Sequence, residues 1–207
     1  GQAILKILTI SGVYLYMLES FARALCLLVI SILIVGCGDV DPVDVPLTGE
    51  ELTIVAVLKK WRTGYENEDV DTYIGTFWTD GFLYNSDLGT DDKTDDVEFT
   101  DIREERESAI RVFSRYQDLE IELSEPPEFM FNEDKTRAEV RNHYRIQGFV
   151  ADGESLEGGY TGWYAEGDSN FIFELRENPA SKKKEWRISE WWDEAFTEEE
   201  IRAANKL

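Results

Sequence analysis

The stretch from Leu47 to Tyr84 constrains the fold more than any other part of the chain. Its apolar residues recur at steps of four, three and four and therefore share one face of a helix: Ile54, Leu58, Trp61 and Tyr65. Thr48 and Glu51 have the spacing of a capping box, which predicts where this helix begins. Asp69 can cap a second, shorter helix. A helix with so many aromatic residues on one face requires a sheet to cover it.

The downstream sequence predicts one further long helix and then a run of strands. Thr100-Asp101 opens the helix, and its predicted inner face consists of Ile102, Arg106, Ala109, Ile110 and Phe113. From Tyr116 the apolar period changes to two, which is typical of half-buried strands. The long strand 137–148 places Val140, Asn142, Tyr144 and Ile146 on one face. Helices followed by long antiparallel strands predict an α+β fold with its helices on one side of a sheet.

The composition excludes several classes of function. The chain has 207 residues and a formal net charge of −22, which repels phosphate backbones, so we expect no nucleic-acid partner. Both cysteines, Cys26 and Cys37, lie in the apolar front segment, so the folded part has neither a disulfide nor a thiol site. The acidic loop 85–98 lacks the spacing of a calcium-binding loop, although calcium binding there is an alternative. We expect no metal and no cofactor.

The front of the chain predicts export and anchoring. Residues 24–36 form an uncharged apolar run with the length of a signal-peptide core. The run ends in Leu-Ile-Val-Gly-Cys37, which resembles the lipobox of bacterial lipoproteins. That resemblance implies cleavage before Cys37 and lipidation of its thiol, so that residues 1–37 comprise the signal peptide with its lipobox. Residues 38–46 are then an acidic, proline-containing tether, and residues 47–207 the folded domain. The alternative is an uncleaved membrane helix that begins near Ala3. Either way we expect an extracytoplasmic domain tethered to a bacterial membrane, in the periplasm or at the cell surface.

The order of elements is similar to one superfamily. The segments that carry the similarity are WRTGYENEDVDTY (61–73), FWTDGFLY (77–84), Arg103-Glu104-Glu105 and EWRISEWW (185–192). Over residues 47–196 the chain resembles the nuclear-transport-factor-two-like superfamily, which includes SnoaL-type cyclases and ketosteroid isomerases. The resemblance implies a cone fold, in which a curved antiparallel sheet wraps around the N-terminal helices and leaves an open-ended pocket. It also implies a homodimer through the sheet face.

Alternation along the strands predicts which side chains line this pocket. Asn142 is the polar residue on the inner face of the long strand. On the last strand we expect Trp186, Ile188, Glu190 and Trp192 to face inward, because the opposite phase (Arg187, Ser189, Trp191, Asp193) is less apolar. The predicted ligand-binding residues are Trp61, Tyr65, Trp78, Asn142 and Trp192.

The predicted chemistry centres on Glu190. Apolar walls would raise the pKa of Glu190 and make it a general base, while Tyr84 or Tyr144 would donate to a developing oxyanion. The alternative is that Glu190 pairs with an arginine or lies at the rim of the cone. His143, on the charged face of its strand, is interpreted as a solvated or ion-paired side chain.

Two functional hypotheses follow from these patterns. The first is a binding or interaction module whose pocket holds a small apolar or amphipathic ligand. The second is an enzyme of isomerase, dehydratase or cyclase type that uses Glu190 and a tyrosine. The enzyme hypothesis requires a buried carboxylate with a tyrosine hydroxyl a few ångströms away.

Overall fold

The computed structural model describes residues 46–90 and 92–205. The predicted signal peptide with Cys37, and the predicted tether up to residue 45, lie outside the described residues. Within the described ranges, every helix is too short or too polar to cross a membrane.

Four α-helices, one 3-10 turn and seven strands make up the described part of the chain. In chain order they are α1 (Gly49–Glu66), α2 (Val70–Ile74), β1 (Leu83–Ser86), β2 (Val97–Phe99), α3 (Ile102–Arg115), β3 (Gln117–Leu123), β4 (Glu128–Phe131), β5 (Arg137–Phe149), the 3-10 turn (Glu157–Gly159), β6 (Gly162–Glu177), β7 (Lys184–Ala195) and α4 (Glu198–Asn205). The prediction of an α+β fold is confirmed.

The first two helices begin where the sequence predicts. The backbone N–H of Glu51 donates to Thr48 Oγ1 at 3.3 Å, and Glu51 Oε2 accepts from the Thr48 N–H, which completes the capping box. Asp69 caps α2 by accepting from the Thr72 N–H at 3.0 Å. Gly64 allows the two helices to touch, because a Cβ there would lie 2.6 Å from the Tyr73 backbone nitrogen.

The seven strands form one sheet in the order β2-β1-β7-β6-β5-β3, and β4 also pairs with β5. All of these pairs are antiparallel except β1–β7, which is parallel. The sheet is curved and does not close on itself. Its inner face covers α1, and Ile54, Leu58, Trp61 and Tyr65 are all buried as predicted. Trp61 packs edge-on against Phe171 and Trp191, with ring centroids 5.3 and 5.4 Å away.

The buried face of α3 differs from the prediction by a small rotation of the helix. The structure buries Ile102, Glu105, Ala109 and Phe113. Arg106 instead pairs with Asp71 at the surface at 2.5 Å, and Ile110 is 47% exposed. Glu105 therefore occupies the inward position that the sequence pattern assigned to its neighbour Arg106.

A β-bulge in β7 overturns the predicted phase of the last strand. Phe173 pairs with Ile188 and Ile172 with Glu190, so Ser189 is an extra residue between the two pairs. Trp186 and Ile188 face inward before the bulge, whereas Trp191 and Asp193 face inward after it. The prediction that Glu190 and Trp192 face inward is therefore wrong, because one inserted residue exchanges the two faces of a strand.

Candidate functional site

Four buried or half-buried polar residues form one row across the inner face of the sheet. Asn142 on β5 pairs with Ser169 on β6, Ser169 pairs with Asp193 on β7, and Asp193 pairs with Ser86 on β1. We call this set the polar row: Asn142, Ser169, Asp193 and Ser86. The adjacent row is apolar or aromatic and consists of Val140, Phe171, Trp191 and Tyr84. Burying a polar side chain costs free energy unless it has a hydrogen-bond partner. A row of buried polar side chains is therefore a candidate functional site.

The Asp193 carboxylate is the centre of the polar row. Its Oδ2 accepts from Ser86 Oγ at 2.8 Å and from the Tyr84 hydroxyl at 3.3 Å. The buried Tyr144 hydroxyl interacts with the same carboxylate. Gly167 makes room for Tyr144, since a Cβ on Gly167 would lie 2.8 Å from the tyrosine oxygen. A carboxylate with two tyrosine hydroxyls is the arrangement that the enzyme hypothesis requires, with Asp193 in the place predicted for Glu190.

Burial sets the protonation behaviour of this group. Desolvation raises the pKa of Asp193 above that of an ordinary aspartate, and the nearby Asp87 adds to the effect, although the hydroxyl donors oppose it. Desolvation raises the pKa of Tyr84 and of Tyr144, and the negative charge of Asp193 is the second cause of the increase. Both phenols therefore remain protonated donors, and the carboxylate accepts a proton more readily than a surface aspartate does.

Several buried polar atoms around the row have no hydrogen-bond partner among the described residues. Two are in the row itself, Asp193 Oδ1 and Asn142 Nδ2. Two more are the indole N–H groups of Trp61 and Trp191, whose rings pack together beside the row. Since buried polar groups in folded proteins nearly always have partners, these atoms indicate a place for a ligand or ordered water.

A second buried carboxylate lies among the helices and was not predicted as a site residue. Glu105 on α3 accepts a 2.6 Å hydrogen bond from the Tyr73 hydroxyl. Desolvation raises the pKa of Glu105 to about 7, although the Tyr73 hydrogen bond and the charge of Arg111 oppose the shift. Glu105 and Asp193 both contribute to the raised pKa of Tyr84. The signal that could have located Glu105 is its spacing from Ile102 and Ala109, three and four residues away.

The predicted site residues divide into two groups. Tyr84, Tyr144 and Asn142 lie at the polar row, while Trp61 and Tyr65 belong to the aromatic core that packs beside it. Glu190 lies on the outer face and pairs with Arg137 at 3.1 Å, which is the alternative that the sequence left open. Trp192 is also outside, 39% exposed, and its indole N–H donates to Glu190.

Trp78 lies far from the polar row. Its indole N–H donates to the carbonyl of Glu174, and the guanidinium groups of Arg176 and Arg187 lie over its ring. Glu174 is five residues along β6 from Ser169, a separation of about 17 Å for extended chain. Trp78 is therefore not part of the polar row, and its predicted role in ligand binding stays a prediction.

The outer face of the sheet is polar. His143 lies there between two carboxylates, with Nε2 2.9 Å from Glu166 Oε1 and Nδ1 3.1 Å from Asp168 Oδ1. A groove of about 550 Å³ lies on this side of β5 and β6, lined among others by Arg141, His143 and Asp168. Among residues 46–90 and 92–205, no group of three or more histidine or carboxylate side chains is placed to hold a metal ion.

Comparison with known proteins identifies the fold. No protein-family model and no curated protein matches the sequence. The structure is similar to a nuclear transport factor 2-like superfamily protein from Salmonella enterica, with a TM-score of 0.54 and 10% identity over 72% of this chain and 92% of that one. It is also similar to a ketosteroid isomerase-like protein from Erwinia carotovora atroseptica, with a TM-score of 0.51 and 14% identity over 73% and 99% of the two chains. A conserved protein from Planctomyces limnophilus gives a TM-score of 0.53 and 16% identity over 70% and 95%. The chain thus has the nuclear-transport-factor-2-like fold, as the sequence resemblance implies.

Proposed function

We propose that the polar row is the binding site for a small, partly apolar ligand. The observation that supports this proposal is the set of buried, unpaired polar atoms around Asp193 and Asn142. These atoms lie beside the aromatic row, where the rings of Trp191 and Tyr84 are tilted against each other with centroids 4.7 Å apart. Aromatic walls with a few convergent polar groups are typical of small-molecule sites.

The unpaired atoms specify the polar groups of the ligand. Asp193 Oδ1 accepts, so it matches a hydroxyl or N–H group. Asn142 Nδ2 and the indole nitrogens of Trp61 and Trp191 donate, so they match carbonyl or hydroxyl oxygens. A neutral molecule that carries both kinds of group on an apolar frame satisfies them, whereas a carboxylate ligand would be repelled by Asp193.

Native mass spectrometry of the full chain tests this proposal. We expect the purified protein to carry a small molecule, and the variant Asp193→Asn to lose about tenfold in its occupancy, because a neutral amide replaces the charged acceptor of a buried hydrogen bond. The matched control is Glu190→Gln, which removes a carboxylate from the outer face of the same strand. Equal occupancy in all three proteins, or equal loss in both variants, would contradict the assignment to the polar row.

A proton-transfer enzyme is the second candidate function. It is favoured by the raised pKa of Asp193 together with the hydroxyls of Tyr84 and Tyr144. In this scheme Asp193, rather than Glu190, takes a proton from carbon next to a carbonyl group, and a tyrosine donates to the oxyanion. Incubation of the protein with small ketones in deuterated water tests it by proton NMR. Exchange should depend on Asp193 and Tyr84 but not on Glu190; exchange that persists in Asp193→Asn would refute this role.

We also propose that the domain is anchored outside the cytoplasm through a lipid on Cys37. The lipobox-like sequence Leu-Ile-Val-Gly-Cys37 after an apolar run supports this proposal. Mass spectrometry of the mature protein should find Cys37 at the amino terminus with a diacylglyceryl modification. The variant Cys37→Ser should remain uncleaved. Recovery of the wild-type protein with residues before Cys37 still attached would rule out the lipoprotein and favour the membrane helix.

The outer face of the sheet is proposed as the contact surface of a homodimer. Trp192 and Phe149 on this side are 39% and 42% exposed, and exposed aromatic residues are enriched in interfaces. Sedimentation analysis tests this proposal with Trp192→Glu, which should shift a dimer to monomer. A monomeric wild-type protein would overturn it.

A further inference from the structure

A groove of about 390 Å³ lies between α1 and the first residues of β7. Residues from both elements line it, among them Val57, Lys60, Lys184, Glu185, Trp186 and Arg187. The groove is distant from the polar row. Trp186 pairs with Leu175, which is six residues along β6 from Ser169, or about 20 Å of extended chain.

The charge in this groove is opposite to that of the chain as a whole. The chain has 43 acidic and 21 basic residues, yet the groove is lined by three cations and one carboxylate. That carboxylate, Glu185, is fully engaged within its own hairpin. Its Oε1 accepts from Ser181 Oγ at 2.9 Å, and its Oε2 accepts from Asn178 Nδ2 and Arg187 Nη2, both at 2.8 Å. The pKa of Glu185 is lowered to about 2 by the hydrogen bonds from Asn178, Arg187 and Ser181. Glu185 therefore neutralises Arg187 and leaves the two lysines.

Neither Lys60 nor Lys184 makes an ion pair or a hydrogen bond through its side chain with a described residue; Lys60 has only a through-space interaction with Asp69. The Lys60 ammonium lies against the groove, because its Nζ is 3.7 Å from the position that a Cβ on Gly75 would occupy. Two unpaired ammonium groups that line the same groove consequently leave a local site for an anion.

Apolar surface lies beside the two ammonium groups. The Val57 side chain is half-buried and packs against the hydrophobic core. Trp186 also lines the groove; it is 5% exposed and packs edge-on against Phe131, with ring centroids 6.1 Å apart. A ligand here meets two ammonium groups together with aliphatic and aromatic residues.

We propose that this groove binds an amphipathic organic anion. Its carboxylate lies between Lys60 and Lys184, and its short apolar part lies on Val57 and Trp186. This ligand class differs from the neutral molecule assigned to the polar row, since the Asp193 carboxylate would repel an anion and the lysines attract one. The two proposed sites thus differ in the charge of the ligand that they accept.

Saturation-transfer NMR with 3-phenylpropionate and the full chain tests the proposal. We expect wild-type protein to bind this probe and the double variant Lys60→Gln/Lys184→Gln to bind it roughly fivefold more weakly, as expected for the loss of two partly exposed ion pairs. The matched control is Lys59→Gln/Lys183→Gln, which removes the same charge from the neighbouring positions that do not line the groove. This control should retain the affinity of the wild type.

Two further probes separate the contributions of charge and apolar contact. The neutral amide 3-phenylpropanamide should bind more weakly than the carboxylate, and inorganic phosphate should bind more weakly than 3-phenylpropionate. The proposal is overturned if the amide binds as well as the acid, if phosphate binds as well as the acid, or if both double variants lose affinity equally. In the last case the overall charge of the protein, not the groove, would determine binding.

Discussion

Glu105 is a buried carboxylate that is paired with a phenol rather than with a cation. Its hydrogen bond from Tyr73 is short, at 2.6 Å, and the surrounding groups include Tyr65 and Tyr84, whose own pKa values are raised in part by the charge of Glu105. A carboxylate without a cationic contact is more stable protonated in such an environment. The neutral form can still hydrogen-bond to Tyr73, so the protonation state of Glu105 couples the stability of the helical layer to pH.

We expect stability to fall as the pH rises through the titration of Glu105. Its pKa is raised from 4.5 to about 7, so the folded state binds the proton more tightly than the unfolded state. The contribution is complete below about pH 4.5 and is lost by about pH 7, a change on the order of 3 kcal/mol. Urea unfolding at several pH values tests this for the wild type and Glu105→Gln. The difference in the free energy of unfolding between the wild type and Glu105→Gln should change over this pH range. Parallel plots of unfolding free energy against pH would contradict the raised pKa.

At the scale of single elements, local patterns predicted α1, β5 and β7, but not which side chains of β7 face inward after Ile188. The capping box at Thr48 and the helical spacing of Trp61 and Tyr65 depend only on nearby residues, so both can be recognised in the sequence. The bulge at Ser189 depends on how β7 pairs with β6, which no local pattern encodes. Strict alternation along β7 ignores the bulge and assigns the residues after Ile188 to the wrong faces. It therefore predicts that Glu190 faces inward, whereas the structure has Asp193 there.

Removing the bulge should therefore have a much larger effect than removing its side chain. Deletion of Ser189 would turn Trp191 and Asp193 toward solvent, and the loss of Trp191 from the core costs about 4 kcal/mol. Ser189→Ala keeps the bulge and loses only the 3.1 Å hydrogen bond from Ser189 Oγ to the Ile172 carbonyl, at about 1 kcal/mol. Urea unfolding followed by circular dichroism compares the two. Similar stability for the deletion and for Ser189→Ala would show that the bulge does not determine the phase.

At the scale of the whole molecule, the candidate site depends on tertiary structure. The polar row joins residues from four strands that are far apart in the sequence: Ser86, Asn142, Ser169 and Asp193. Sequence reasoning found Asn142, Tyr84 and Tyr144, because alternation and residue type identify inward polar and aromatic groups. It could not find Asp193 or Ser86, since strand pairing places Asp193 opposite Ser169 and Ser86 opposite Asp193. The residues of the polar row were thus only partly predicted, because its carboxylate belongs to Asp193 and not to Glu190.

The net charge of −22 leads to a last prediction about the whole protein. Most of its ion pairs are partly exposed, such as Arg137 with Glu190, and such pairs contribute little. Repulsion among the unpaired carboxylates outweighs these attractions, so screening by salt should stabilise the fold. Raising sodium chloride from about 0.1 M to about 1 M should increase the melting temperature by roughly 3 °C, equivalent to about 1 kcal/mol. Calorimetry measures this, and a decrease would mean that the ion pairs outweigh the repulsion.

Millimolar calcium added in high salt tests the acidic loop 85–98 separately. We expect no additional rise in the melting temperature, because the loop lacks the spacing of a calcium-binding sequence.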